Sequence, residues 1–116
     1  MTISASEFRK IIENARAICL VPIDSHKSLI LQQCDQGFNA GIGKLFHELE
    51  RQEISEDGID AQEALGLVYR LMRGCEVEVD NRNLLADYVE KSQNSGVFKM
   101  FYETTSAIME EGRIGA

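Results

Sequence analysis

Apolar residues recur mostly at three- and four-residue intervals along the chain, which is the spacing of one face of an α-helix. The first such stretch follows Ser4, and Glu7 three residues later completes a capping-box pattern. Pro22 ends it, because proline has no backbone N–H and cannot continue a helix. We therefore predict a first helix whose buried stripe is formed by Phe8, Ile11, Ile12, Ala15 and Ile18.

The second helical segment is the longest and runs from about residue 27 to residue 52, with Asp24 or Ser25 able to cap it. Its apolar stripe is interrupted by Gly37, Gly41 and Gly43. Glycine inside a helix costs about 1 kcal/mol relative to alanine. Either the helix breaks at these glycines, or small residues let another helix approach closely. Because Gly37 and Gly41 are four residues apart and share one face, they are our candidates for packing at a dimer interface.

A turn and a third helix follow. Residues 55–58 form the turn, and Asp60 with Glu63 repeats the capping pattern before a helix that ends at Gly74, a natural C′ residue. Residues 75–80 then alternate strictly between apolar and polar side chains, which predicts a short strand or an extended connector. A lone strand of this length needs a partner from elsewhere, such as another subunit.

Two further helices are predicted in the last third of the chain. Asn81 or Asn83 can cap the first of them, and residues 94–96 separate it from the second. Residues 111–116 contain two glycines and little to bury, so we expect a flexible tail there. The whole pattern predicts an all-α bundle of four or five helices in one domain, residues 1–110, with the extended segment at 75–80.

Composition and charge exclude several functional classes. The chain has 116 residues, of which 44% are apolar, enough for a single domain with a real core. It carries 12 basic and 19 acidic residues, a net charge of −7, which argues against direct binding to nucleic acid or to an anionic membrane surface. No apolar run approaches the roughly 20 residues that span a bilayer. The first residues lack the pattern of a secretion signal, so we expect a cytoplasmic location.

Motifs for catalysis or metal binding fail at specific positions. An EF-hand alignment on Gly58 places Ala64 where calcium requires a bidentate carboxylate. His47 begins a zincin-like pattern, but Arg51 replaces its second histidine. Residues 37–44 are one residue out of frame for a phosphate-binding loop. The three cysteines have no close spacing and are expected to be free buried thiols. We therefore predict a non-enzymatic protein without catalytic, cofactor-binding or metal-ligating residues.

Binding to another protein is the remaining function. Residues 96–102 place large apolar groups on more than one helix face, which is typical either of a central core helix or of an interface. Residues 29–31 are likewise wider than one stripe, and these surfaces together favour a homodimer. Because aromatic side chains dominate binding hot spots, we predict as partner-binding anchors Phe98, Phe101, Tyr102, Leu29 and Phe38.

In size, acidity, helical organisation and lack of a catalytic motif, the chain resembles the small helical QslA-like antiactivators of bacterial quorum sensing. That resemblance implies a cytoplasmic protein that binds a LuxR-type transcription regulator and blocks its dimerisation or DNA binding. It assigns no residue a role. One alternative is an immunity protein that neutralises a cationic toxin through the acidic stretches 48–63 and 76–90. The other is an enzyme or metal-binding protein.

Overall fold

The computed structural model describes residues 1–79 and 83–114, with side chains as far as Glu111. In that part of the chain the architecture is four helices and one small antiparallel sheet, so the predicted all-α bundle is confirmed. The elements in chain order are β1 (Thr2–Ile3), α1 (Ala5–Cys19), α2 (Leu29–Glu50), β2 (Ile59–Asp60), α3 (Ala61–Cys75) and α4 (Leu84–Ile114).

Local side-chain hydrogen bonds determine where the helices begin. The predicted capping box is present at α1, where the backbone N–H of Glu7 donates to the Ser4 hydroxyl and the Glu7 carboxylate accepts from the Ser4 N–H. Asp60 caps α3 as predicted, and the Asn83 side chain accepts the N–H groups of Leu85 and Ala86 at the start of α4. Asn81, the other predicted cap of this helix, lies outside the described residues. Ser28, not Asp24 or Ser25, caps α2.

Two glycines that are predicted to end or separate helices lie inside helices in the structure. Gly74 lies inside α3, which continues to Cys75, so its predicted role as the residue after the helix is wrong. Gly96 lies inside α4, which is one helix of 31 residues rather than two. The Asn94 side chain bonds the backbone of Val77 instead of forming a turn, and Gly96 faces the Phe38 carbonyl of α2. Asn94 and Gly96, which the sequence pattern assigns to a break between helices, thus make contacts with distant parts of the chain instead.

The extended segment and the tail also differ from the prediction. Residues 76–79 form no strand, and Asp80 lies outside the described residues. The sheet instead joins the N-terminal residues to the α2–α3 connection, with Ile3 paired to Ile59. α4 continues to Ile114, so the predicted tail begins inside the helix, and residues 115–116 lie outside the described part.

Glycines bring α2 and α4 together, and the two helices run parallel. Gly37 lies against Val89, and Gly41 lies against the backbone of Gln93 and Val97. α2 is not broken at these glycines, so close helix packing is the interpretation that holds. The prediction that Gly37 and Gly41 pack in a dimer interface is corrected, because α4 of the same chain occupies both positions.

The core lies where α1 and α3 pack on the α2–α4 pair. α1 runs antiparallel to α4, with the Cys19 thiol donating to the Lys99 carbonyl at 3.7 Å. Ile18, predicted in the buried stripe of α1, is 66% exposed, and Cys19 takes its place. None of the helices within the described ranges is long and apolar enough to cross a bilayer. Side chains with almost no exposure include Ile3, Ile42, Leu45, Leu49, Val68, Val97, Met100 and Ile108.

Candidate functional site

Three of the five predicted anchors meet in one surface groove. Phe38 reaches it from α2, and Phe98 and Tyr102 line it from α4. Phe98 is 59% exposed and Tyr102 55% exposed, whereas Phe38 is half-buried. The groove has a volume of about 650 Å³, and its remaining lining comes from Glu76, Asn94, Ser95 and Lys99. We call it the aromatic groove.

The walls of the aromatic groove are held by hydrogen bonds to the backbone. The Asn94 side-chain amide donates to the Val77 carbonyl at 2.9 Å, and its oxygen accepts the Val77 N–H at 2.8 Å. This pair fastens the segment after α3 to α4 and places Glu76 at the edge of the groove. The groove is thus built on a long helix and a pinned connection, which limits its rearrangement when something binds.

One cation lies at the rim. Lys99 donates to the Glu103 carboxylate at 2.9 Å, and its ammonium lies 5.6 Å from the centre of the Tyr102 ring. The hydrogen bond to Glu103 raises the pKa of Lys99, because it favours the charged ammonium. The groove therefore presents two exposed aromatic rings with a positive and a negative group, Lys99 and Glu76, at its edges.

The other two predicted anchors lie outside the aromatic groove. Phe101 is half-buried and packs edge-on against Tyr69 of α3, with ring centres 6.2 Å apart. It also contacts Phe98, at 6.0 Å between centres, and so supports the groove from below. Leu29 is 71% exposed at the first residue of α2.

Leu29 is one of several aliphatic side chains that remain exposed in the described part of the chain. Because α2 and α4 are parallel, their first residues lie at the same end. A second hollow of about 390 Å³ leads from the aromatic groove along α4, and the two hollows share Phe38 and Ser95. The hydropathy pattern alone did not show that these aliphatic groups are exposed: Leu20, Ile23, Ile30, Leu31, Leu84 and Leu85.

Sequence reasoning also missed a groove between α1 and α4. It has a volume of about 410 Å³, an apolar floor that includes Ile11 and Ile18, and carboxylates from Glu103 and Glu110 at its side. The helical spacing of buried residues predicts Ile18 in the core, but its side chain is exposed. A stripe drawn from spacing cannot show where a neighbouring helix stops covering it.

The acidic stretch around the α2–α3 connection is tied into the fold. The N-terminal ammonium lies 3.3 Å from the Asp60 carboxylate, and this hydrogen bond lowers the pKa of Asp60, with further help from backbone N–H groups. Ala64, at the failed calcium position, is fully buried in α3. Within residues 1–79 and 83–114, no three His, Cys, Asp or Glu side chains are grouped as metal ligands would be.

Two of the three thiols lie in surroundings that disfavour reactivity. Burial raises the pKa of Cys19 and of Cys75, which disfavours the reactive thiolate. Cys34 is half-buried and lines the hollow beside Tyr88. The His47 side chain is mostly exposed and lies 3.8 Å from Glu50.

Comparison of this chain with protein-family models, with curated proteins and with solved structures finds no significant match.

Proposed function

We propose that this chain is a regulatory protein that acts by binding another protein, and that the aromatic groove receives apolar side chains from a helix of that partner. The carrying observation is the exposure of Phe98 and Tyr102 beside Phe38 on a fixed helical surface. Aromatic rings bury a large area at little entropic cost, which makes them frequent hot spots in interfaces. Exposed on a folded chain, they leave apolar area that a partner can cover.

The partner we propose is a LuxR-type transcription regulator, which the chain would inhibit by blocking dimerisation or DNA binding. The resemblance to QslA-like antiactivators supports this choice. The charge of the chain is compatible with it, because −7 attracts the basic surface of a DNA-binding protein. Such attraction chiefly raises the rate of association, while the aromatic groove supplies contacts that slow dissociation.

The proposal is tested by capture of purified LuxR-type regulators on the tagged chain, compared between wild type and single variants. Phe98→Gln and Tyr102→Gln remove the aromatic rings without adding charge. Ile18→Gln is the matched control, because Ile18 is equally exposed but lies in the other groove, on α1. We expect a loss of affinity of about thirtyfold or more for each groove variant, since a hot-spot ring is worth about 2 kcal/mol or more. The control should bind as wild type does.

Each result decides between the candidate functions. Unchanged helical circular dichroism with lost capture supports the aromatic groove. Variants that unfold show that the two rings are structural and contradict the proposal. Full capture by both groove variants also contradicts it. A cationic toxin that binds the chain, with affinity falling steeply as salt rises and no effect of either groove variant, would favour the immunity function instead.

A further inference from the structure

The solvent side of α4 carries large apolar side chains at alternating steps of four and three residues. Leu84, Tyr88, Phe98, Tyr102 and Met109 are all between 46% and 69% exposed. Lys91, Ser95 and Thr105 occupy the remaining positions of the same line. We call this line of eight residues the α4 seam. Its spacing of 3.5 residues is that of a helix that packs along a second helix.

From this pattern we infer that the α4 seam binds the α4 seam of a second copy of the chain, with the two helices antiparallel. A two-fold axis between Ser95 and Phe98 brings the Ser95 of one copy opposite the Phe98 of the other. The same register sets Lys91 opposite Tyr102 and Tyr88 opposite Thr105. In each of these three pairs a large side chain meets a smaller or flexible one, as knobs meet holes.

The ends of the seam fit the same register, because Leu84 of one copy then lies opposite Met109 of the other. A parallel pairing would instead stack Phe98 on Phe98 and set Lys91 against Lys91, which leaves like charges facing. Each Lys91 ammonium lies 3.1 Å from the Asp87 carboxylate of its own chain, and the antiparallel arrangement sets this ion pair beside a tyrosine ring instead of beside a second lysine. The antiparallel orientation is therefore the favoured one.

The area is sufficient for a specific dimer. A fully buried aromatic side chain removes about 150–250 Å² from water, so each half-exposed ring of the seam contributes about 100 Å². With three rings and a similar area from Leu84 and from Met109, the two copies together bury about 1,000 Å², which is the lower bound for a specific interface. The dimer is thus expected to be reversible.

Self-association does not depend on the proposed partner, but its regulatory consequence rests on the proposed function. Phe98 and Tyr102 belong both to the seam and to the aromatic groove. A second copy on the seam therefore covers the rings that the partner would use. Dimer and partner complex would compete, so that only monomer released by dilution is available for capture.

Sedimentation velocity of the purified chain over a wide range of concentrations tests the dimer. We expect a concentration-dependent dimer for wild type. Ser95→Arg places a long cation at the centre of the seam and should raise the dissociation constant at least about tenfold. Ser6→Arg, the same change at an exposed position of α1, is the control and should dimerise as wild type does. A chain that is monomeric throughout, or a Ser95→Arg variant that dimerises fully, overturns the inference.

A cross-linking experiment tests the orientation. Leu84→Cys and Met109→Cys are made separately, each with Cys34→Ser because Cys34 is the accessible natural thiol. Antiparallel pairing predicts a disulfide only when the two variants are mixed. A disulfide dimer from either variant alone would show parallel pairing and overturn the proposed register. Both measurements use the chain alone, so their failure is separate from a failure to capture a regulator.

Discussion

The buried hydroxyl of Thr104 lowers the stability of the core. Thr104 is fully buried in α4, and its Oγ1 has no hydrogen-bond partner. A buried polar group without a partner costs about 1–3 kcal/mol, and valine has the same shape without the hydroxyl. We predict that Thr104→Val raises the free energy of unfolding by about 1 kcal/mol, measured by urea denaturation followed by circular dichroism.

Thr105→Val is the control for that experiment. The Thr105 hydroxyl donates to the Phe101 carbonyl at 2.8 Å, so the same change there removes a hydrogen bond and should bring no gain. Destabilisation by Thr104→Val would show that the buried hydroxyl is hydrogen-bonded after all. The sequence gives no signal of this difference, because two adjacent threonines on a helix look alike until their neighbours are known.

Gly58 is required by the turn before α3. Its φ is +86°, and a Cβ at this position would lie 2.6 Å from the Ile3 carbonyl oxygen. An alanine there is strained by its backbone conformation and also pushes β1 away from β2. We predict that Gly58→Ala lowers the free energy of unfolding by about 1–2 kcal/mol or more, measured by thermal and urea unfolding.

Gly66→Ala provides the comparison for Gly58. Gly66 lies inside α3, and the nearest atom to an added Cβ is the flexible Arg70 guanidinium at 3.7 Å. This variant should gain up to about 1 kcal/mol from helix propensity. If both variants behave alike, the pairing between β1 and β2 contributes nothing to the stability of the fold.

The α2–α4 crossing depends on glycines that face the other helix. An added Cβ at Gly41 would overlap the Gln93 carbonyl, and one at Gly96 would overlap the Phe38 carbonyl. Because backbone rather than a flexible side chain is in the way, the helices must move apart. We predict that Gly41→Ala and Gly96→Ala each lower the free energy of unfolding by about 1–3 kcal/mol, measured by urea denaturation.

Gly43→Ala is the matched control. Gly43 lies on the same helix as Gly41, but no atom of a neighbouring element lies within 4 Å of a Cβ added there. It should stabilise the chain by up to about 1 kcal/mol through helix propensity. A loss of stability in all three variants would point to a general effect of glycine replacement in these helices. A more stable Gly43→Ala variant together with a less stable Gly41→Ala variant would show that the loss arises at the α2–α4 crossing.

The starts of α1 and α3 could be predicted at this scale because capping bonds join residues two or three positions apart, as Ser4 and Glu7 do. The division of α4 could not. Asn94 and Gly96 are typical of a turn, but Asn94 bonds Val77 and Gly96 admits Phe38, both contacts with distant parts of the chain. Asparagine and glycine within an apolar pattern thus indicate either a turn or a close crossing of helices, and only contacts with distant parts of the chain distinguish the two.

At the scale of the whole molecule, the sequence indicated which residues are apolar but not which of them remain exposed. Phe98 and Phe101 are three residues apart on one helix, yet Phe98 is exposed and Phe101 packs against α3. α4 contacts all three other helices, so its buried surface is wide and its apolar residues occupy most of its circumference. Phe98 and Tyr102 meet Phe38 of α2 in one groove because they lie on the part of α4 that α3 leaves uncovered.

Because α1 and α3 both pack on α2 and α4, we predict that they unfold together. Cys19 of α1 and Cys75 of α3 are both buried, whereas Cys34 is half-buried. In mild urea, an alkylating reagent should modify Cys34 first and the two buried thiols later, at equal rates set by global unfolding. Mass spectrometry of the separated peptides measures the three rates.

The pH dependence follows from the same two thiols. Burial raises the folded-state pKa of Cys19 and Cys75, so the folded chain holds these protons more tightly than the unfolded chain does. Their contribution to stability is therefore fully present at neutral pH and is lost as the pH rises past the unfolded-state value of about 8.5. We expect labelling of both thiols to accelerate above that pH by more than the ionisation of a free thiol explains. If Cys75 reacts much faster than Cys19 while the circular dichroism is unchanged, α3 opens independently, and the wall of the aromatic groove that follows α3 is mobile.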